Sequence, residues 1–182
     1  MAFTGKAFST AVLNSTNYYR AQHQASALVW DTTLAQYAQA YAEKCIWEHS
    51  GGPYGENLAS GYDSPAPAID AWAREEKEYN YAKAKFSEST GHYTQLVWRN
   101  TTTVGCGAKQ CSNAASNGVN GWYVVCEYTP RGNVEGQFRE EVRKVGVGKD
   151  GKPGFGAASE PRSAGKWLGA LVAVYVLLAV CV

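Results

Sequence analysis

His23, His49 and His92 are the histidines of this 182-residue chain, and with five cysteines they hold most of its acid–base, nucleophilic and metal-ligating capacity near neutral pH. None stands in a spacing that dictates a reaction. Glu48-His49 does not open an H-E-x-x-H zinc helix, so a strong catalytic zinc site is not spelled out. Ser64, Ser87, Ser89 and Thr94 read as ordinary loop or turn residues, with no G-x-S-x-G elbow to make one reactive. His23 closes the first helical pattern and reads as a surface or capping residue.

Cys45, Cys106, Cys111 and Cys126 form an even set, which allows three connectivities. Residues 104–109 and 122–128 are β-branched and aromatic runs around a Ser/Asn/Gly-rich turn at 112–121, so antiparallel pairing brings Cys106 near Cys126. That leaves Cys45 for Cys111, a bridge over a long loop whose closure stabilises the fold by about 4 kcal/mol on chain-entropy arguments. Paired cysteines imply an oxidising compartment, the alternative being four free thiols in a reducing one. The sequons at Asn14 and Asn100 lean the same way.

The elements that must position these residues follow from periodicity. Residues 8–24 repeat Phe8, Ala11, Val12 and Tyr18 or Tyr19 at helical spacing. Asp31 caps a second helix whose Leu34, Tyr37, Ala38, Tyr41 and Cys45 make one apolar face, and Gly51-Gly52-Pro53 ends it. Residues 60–67 form a loop, and Ile69, Trp72, Glu76 and Tyr79 describe a third helix. A short helical turn at 92–96 feeds a strand at Val97-Trp98, and the hairpin follows. Helices before and between antiparallel strands predict an α+β domain.

The runs GHYTQLVWRNT (91–101) and YVVCEYTPRGN (123–133) resemble the paired signatures of the CAP superfamily of cysteine-rich secretory, antigen 5 and pathogenesis-related 1 proteins. The resemblance extends upstream through Asn57-Leu58 and Trp72. It implies a three-layer α-β-α sandwich with a mostly antiparallel central sheet. Plant members resemble the chain in the disulfide pairing above. The resemblance also places His49, Glu56, Glu75 and His92 at the family's cleft tetrad. Two imidazoles and two carboxylates in one groove can coordinate a divalent cation such as zinc through His49 and His92 with Glu56 and Glu75. They can equally hold one another by charge-assisted hydrogen bonds with no cofactor. Fungal members that this chain resembles bind sterols and fatty acids. Here the loop at 61–68 would supply Tyr62, Pro65 and Pro67, at a site separate from the tetrad.

The ends bear on location. Residues 167–182 carry no charge and follow a Gly/Pro/Ser-rich linker at 141–166, after a domain at 8–140. The tail reads either as a glycosylphosphatidylinositol attachment signal after the small residues at 156–159 or as a tail-inserted membrane helix. Residues 1–6 contain no apolar signal core, so an upstream signal peptide is expected to precede this chain. With 17 basic and 16 acidic residues scattered along the chain, nucleic-acid binding is not indicated. The expectation is a secreted or surface-attached, non-enzymatic domain binding a sterol or fatty acid. The alternatives are a metal-dependent or serine-type hydrolase using the His/Glu cleft, and a defence or interaction module without a small ligand.

Overall fold

The computed structural model describes residues 5–112 and 118–146. A four-stranded sheet of order β1-β3-β4-β2 lies at the centre, built from β1 (Val29–Trp30), β2 (Gly55–Ser60), β3 (Thr103–Ser112) and β4 (Asn120–Thr129). The pair β1/β3 is parallel and the other two pairs are antiparallel, giving the expected α-β-α sandwich. Helix α2 (Thr32–Ala42) covers one face. The other carries α1 (Gly5–Gln22), α3 (Pro65–Arg74) and α4 (Gly91–Leu96).

Side-chain alternation decides which face meets which helix. Gly105 and Gly107 turn toward α2, where a Cβ would stand 2.2 Å from the Ala35 nitrogen and 2.3 Å from the Gln39 Cα. Only glycine lets the helix backbone lie this close to the strand. Asp31 caps α2 as expected, accepting from the Thr33 and Leu34 amides at 2.7 and 3.0 Å. Val104, Cys106 and Ala108 point the opposite way, into the larger core with Phe8, Trp72 and Leu96. Cys106 sits directly across from Cys126, and the bridges are Cys106–Cys126 and Cys45–Cys111.

Several expected elements end differently. Helix α2 stops at Ala42, and Cys45 lies beyond it with a positive φ of 51°, buried but outside the helical face. Pro65 and Pro67 belong to the first turn of α3 and not to a loop, since amides there have no intrahelical acceptor and proline forfeits nothing. That helix ends at Arg74 and gives way to a 3-10 turn at Glu75–Glu78, so Glu76 and Tyr79 leave its face.

Val97-Trp98 is not a strand. The buried Arg20 guanidinium donates to the carbonyls of Ser26, Leu96, Trp98 and Thr101, at 2.8, 3.0, 2.8 and 2.8 Å, and so takes up the acceptors a sheet partner would need. Burial lowers its pKa to about 10. Past residue 140 the chain stays packed: α5 (Phe138–Glu141) is followed by buried Val142, and the Gly146 amide bonds the Gln22 carbonyl at 3.0 Å. Residues 147–182, with most of the linker and the whole tail, lie outside the described residues. Among the described residues no helix is long and apolar enough to cross a membrane.

Candidate functional site

The four tetrad residues come from four different segments and meet as two hydrogen-bonded dyads. His49, in the loop after α2, holds Glu56 of β2 through Nδ1 at 2.6 Å, while the Ser50 amide donates to the same carboxylate oxygen at 2.9 Å. His92, in the first turn of α4, holds Glu75 through Nδ1 at 2.6 Å, and the Tyr93 amide donates to the second Glu75 oxygen at 3.0 Å. The His92 ring stacks on Trp72 with centroids 6.1 Å apart, and Asn57 Nδ2 donates to its backbone carbonyl at 3.0 Å. Each carboxylate fixes one ring nitrogen and leaves Nε2 without a protein partner among the described residues.

A fifth residue, Glu127, was not anticipated. It lies opposite Glu56 in the β2/β4 register, shares the α2-facing side of β4 with Tyr123 and Val125, and is 1% exposed. Glu56 Oε2 and both Glu127 oxygens are buried and meet no donor among the described residues other than the two carboxyls themselves. Two carboxyls in this position coexist when one carries a proton and donates it to the other. Burial, then the neighbouring Glu56, pushes Glu127 up to about 9, making it the proton carrier. Burial pushes Glu56 upward, but hydrogen bonds from His49, Glu127 and Ser50 outweigh it and hold its carboxyl below the usual range. His49 is raised by its bond to Glu56, against a smaller opposing effect of burial. Glu127 was legible in principle: a charge at an inward position of an alternating strand breaks its pattern.

Two cavities flank these dyads. The larger, about 850 Å³, is bounded by His49, Glu56, His92, Gln95, Arg131 and Phe86. The second, about 340 Å³, is walled by Trp47, Tyr62 and Trp72 and closed by Glu75 and His92. Tyr62 and the tetrad are therefore not separate sites: His92 lines both cavities. Pro65 is buried in α3 and Pro67 lies on its exposed side, so neither lines this pocket. Trp47, 49% exposed beside Tyr123, is the wall residue that sequence reasoning missed.

His23 is neither capping nor at the surface. It is 2% exposed, its Nδ1 stands 2.8 Å from the Arg143 carbonyl and 3.2 Å from the Tyr93 hydroxyl, and its role is to tie the C-terminal segment to the core. Ser87 and Ser89 bond each other, Thr94 is engaged with Asn133, and no hydroxyl or thiol among the described residues contacts either tetrad imidazole. Nor is any set of three or more His, Cys, Asp or Glu side chains among them arranged to hold a metal ion. With each Nδ1 engaged by a carboxylate, the residues present do not form the three- or four-ligand cage that protein zinc sites use.

Comparison with known proteins shows that the profile of the cysteine-rich secretory protein family, CAP, matches residues 13–128. The chain belongs to this family. Among CAP relatives it is 47% identical over 140 residues to Protein PRY2 of Saccharomyces cerevisiae, covering 74% of this chain and 41% of that one. It is 43% identical over 134 residues to Secreted protein RBT4 of Candida albicans, covering 71% and 36%. A plant pathogenesis-related protein PR-1 of Medicago truncatula is 40% identical over 145 residues, covering 75% of this chain and 81% of its own. The chain thus spans less than half the length of these two fungal relatives. The solved CAP structure of NaASP2 with Zn2+ superimposes with a TM-score of 0.62 at 26% identity, over 80% of this chain and 88% of that one.

Proposed function

We propose that this chain is an extracellular lipid-binding domain that takes a sterol or another small planar lipid against Trp47, Tyr62 and Trp72, and is not a hydrolase. The observation that carries this reading is the aromatic pocket itself, with a half-exposed tryptophan at its mouth and Tyr62 and Trp72 behind it. Rings with apolar faces and polar edges suit a flat apolar ligand, and a solvent-facing tryptophan is costly to leave uncovered. A hydrolytic reading lacks a nucleophile hydrogen-bonded to His49 or His92 among the described residues. Secretion is supported by the two disulfides and by relatives named as secreted proteins. The uncharged stretch at 167–182 would then hold the domain at a membrane, near its ligand.

The test is direct binding of a radiolabelled sterol and of a fatty acid to the secreted chain. Tyr62→Ala and Trp47→Ala should each weaken sterol binding about tenfold, the worth of one aromatic contact of about 1.4 kcal/mol. His92→Ala should also weaken it, because that ring closes the same pocket. Sterol affinity untouched by all three variants, or peptide turnover that disappears with His92, would reverse the reading in favour of a catalytic cleft.

A further inference from the structure

Helix α1 carries an unusual solvent face. Its charged residues are Lys6 and Arg20, which is buried, so the exposed line Lys6, Thr10, Asn14, Tyr18 carries no charge after its first residue. Tyr18 is 56% exposed, an aromatic ring left largely in water. One turn before it stands Asn14, exposed, in the sequence Asn14-Ser15-Thr16. The Tyr18 ring meets the Tyr19 ring edge-on at 5.2 Å, and residues four apart on a helix share a face, so Tyr18 is within reach of a group attached at residue 14.

Thr16 supplies the second observation. It is fully buried, at 0% exposure, and its hydroxyl has no hydrogen-bond partner among the described residues. A helical threonine ordinarily bonds the carbonyl of the preceding turn, and a buried hydroxyl without a partner is destabilising. Valine would fill the same volume without that penalty. The hydroxyl therefore has no role in the folded domain that the described residues reveal, whereas a Ser or Thr two residues after Asn is what N-glycosylation requires of the chain before it folds. The other sequon offers no such argument: Thr102, two residues after Asn100, donates its hydroxyl to the Thr129 carbonyl at 3.3 Å and so has a structural use.

We infer that Asn14 carries an N-linked oligosaccharide whose first sugar packs on Tyr18. In the transfer, the Asn14 Nδ2 forms a bond to C1 of a sugar donated by a polyprenyl-diphosphate-linked oligosaccharide. The sugar–phosphate bond breaks, the polyprenyl diphosphate leaves, and the amide nitrogen loses one proton. The sugar covers the Tyr18 ring and explains both a helix face without charge beyond Lys6 and a hydroxyl unused by the fold. The modification requires secretory entry, which rests on the extracellular reading above; supplying a leader in the experiment separates the two.

The chain, expressed in a eukaryotic host behind a cleavable secretion leader, is digested with trypsin, and the peptide at 7–20 is weighed before and after peptide-N-glycosidase treatment. Wild type and Thr16→Ser should carry sugar at Asn14; Thr16→Val and Asn14→Gln should not. In the sugar-free Asn14→Gln background, the Thr16 form should melt about 3 °C below Thr16→Val, the shift expected for losing one buried unpartnered hydroxyl in a domain of this size. Glycosylated wild type should melt above Asn14→Gln, and Tyr18→Ala should keep the sugar but lose that difference. An unmodified Asn14 in the secreted wild type overturns the inference, as does Thr16→Val melting below the Thr16 form in the Asn14→Gln background. A Tyr18→Ala variant that still gains stability from the sugar overturns the packing contact.

Discussion

Replacing Glu127 by glutamine tests the shared proton beneath His49. An acid whose pKa is raised on folding leaves the fold at full stability below its unfolded value, and that stability is lost as pH climbs toward the folded value. For Glu127 the loss begins near 4.5 and ends near 9. From 4.5 to pH 7, at about 1.4 kcal/mol per pH unit, wild type gives up about 3 kcal/mol. Glutamine is the neutral shape of the protonated acid and donates to Glu56 at every pH. Its second N–H, buried at a site 1% exposed, costs about 1 kcal/mol. Glu127→Gln should therefore be about 2 kcal/mol more stable than wild type at pH 7, more so at pH 8.5, and no more stable at pH 4.5. Guanidinium unfolding of both proteins at the three pH values, with disulfides intact, measures this. A stability gap that does not change with pH, or a Glu127→Gln variant less stable than wild type at pH 7, would show that Glu127 is ionised and paired, and that the buried acid pair has been misread.

Other outcomes follow from the same geometry. The His49 imidazole should titrate above its ordinary value by NMR, and Glu56→Gln should lower it; the stability the pair adds is present above the unfolded carboxyl value and below the unfolded imidazole value, fading as pH rises through the raised His49 value or falls through the lowered Glu56 value. Gly107→Ala places a Cβ 2.3 Å from the Gln39 Cα and must push α2 off the sheet, so thermal melts should show a loss of about 3 kcal/mol or failure to fold. Arg20→Met strands four backbone carbonyls and should cost about 4 kcal/mol by chemical denaturation, with Arg20→Lys recovering less than half. Zinc added at tenfold excess should move the melting temperature by less than about 2 °C, because each Nδ1 is held by a carboxylate and two Nε2 atoms do not make a zinc cage; a larger, chelator-reversible rise that His92→Ala abolishes would mean the dyads rearrange into a metal site.

The sequence by itself determined what is local or strictly periodic. Alternation over 104–109 and 122–128 specified the hairpin and put Cys106 opposite Cys126, because a strand's period admits one register that buries its apolar side. Asp31 announced its helix through a side chain that can only serve the next few amides. The signature residues brought His49, Glu56, Glu75 and His92 to notice, and the fold does group them, but as two separate dyads. Tertiary structure decided the rest wherever one segment's fate depended on another's atoms. Val97-Trp98 has strand composition, yet Arg20 from α1 occupies the carbonyls a neighbouring strand would have used. Tyr62 looked remote from His92 along the chain, and only the packing of Trp72 between them made both walls of one pocket. Glu127 acquired its proton from the register that set it against Glu56 under a helix drawn close by two glycines. Burial and juxtaposition across the sheet are properties of the packed chain, and no stretch of sequence contains them alone.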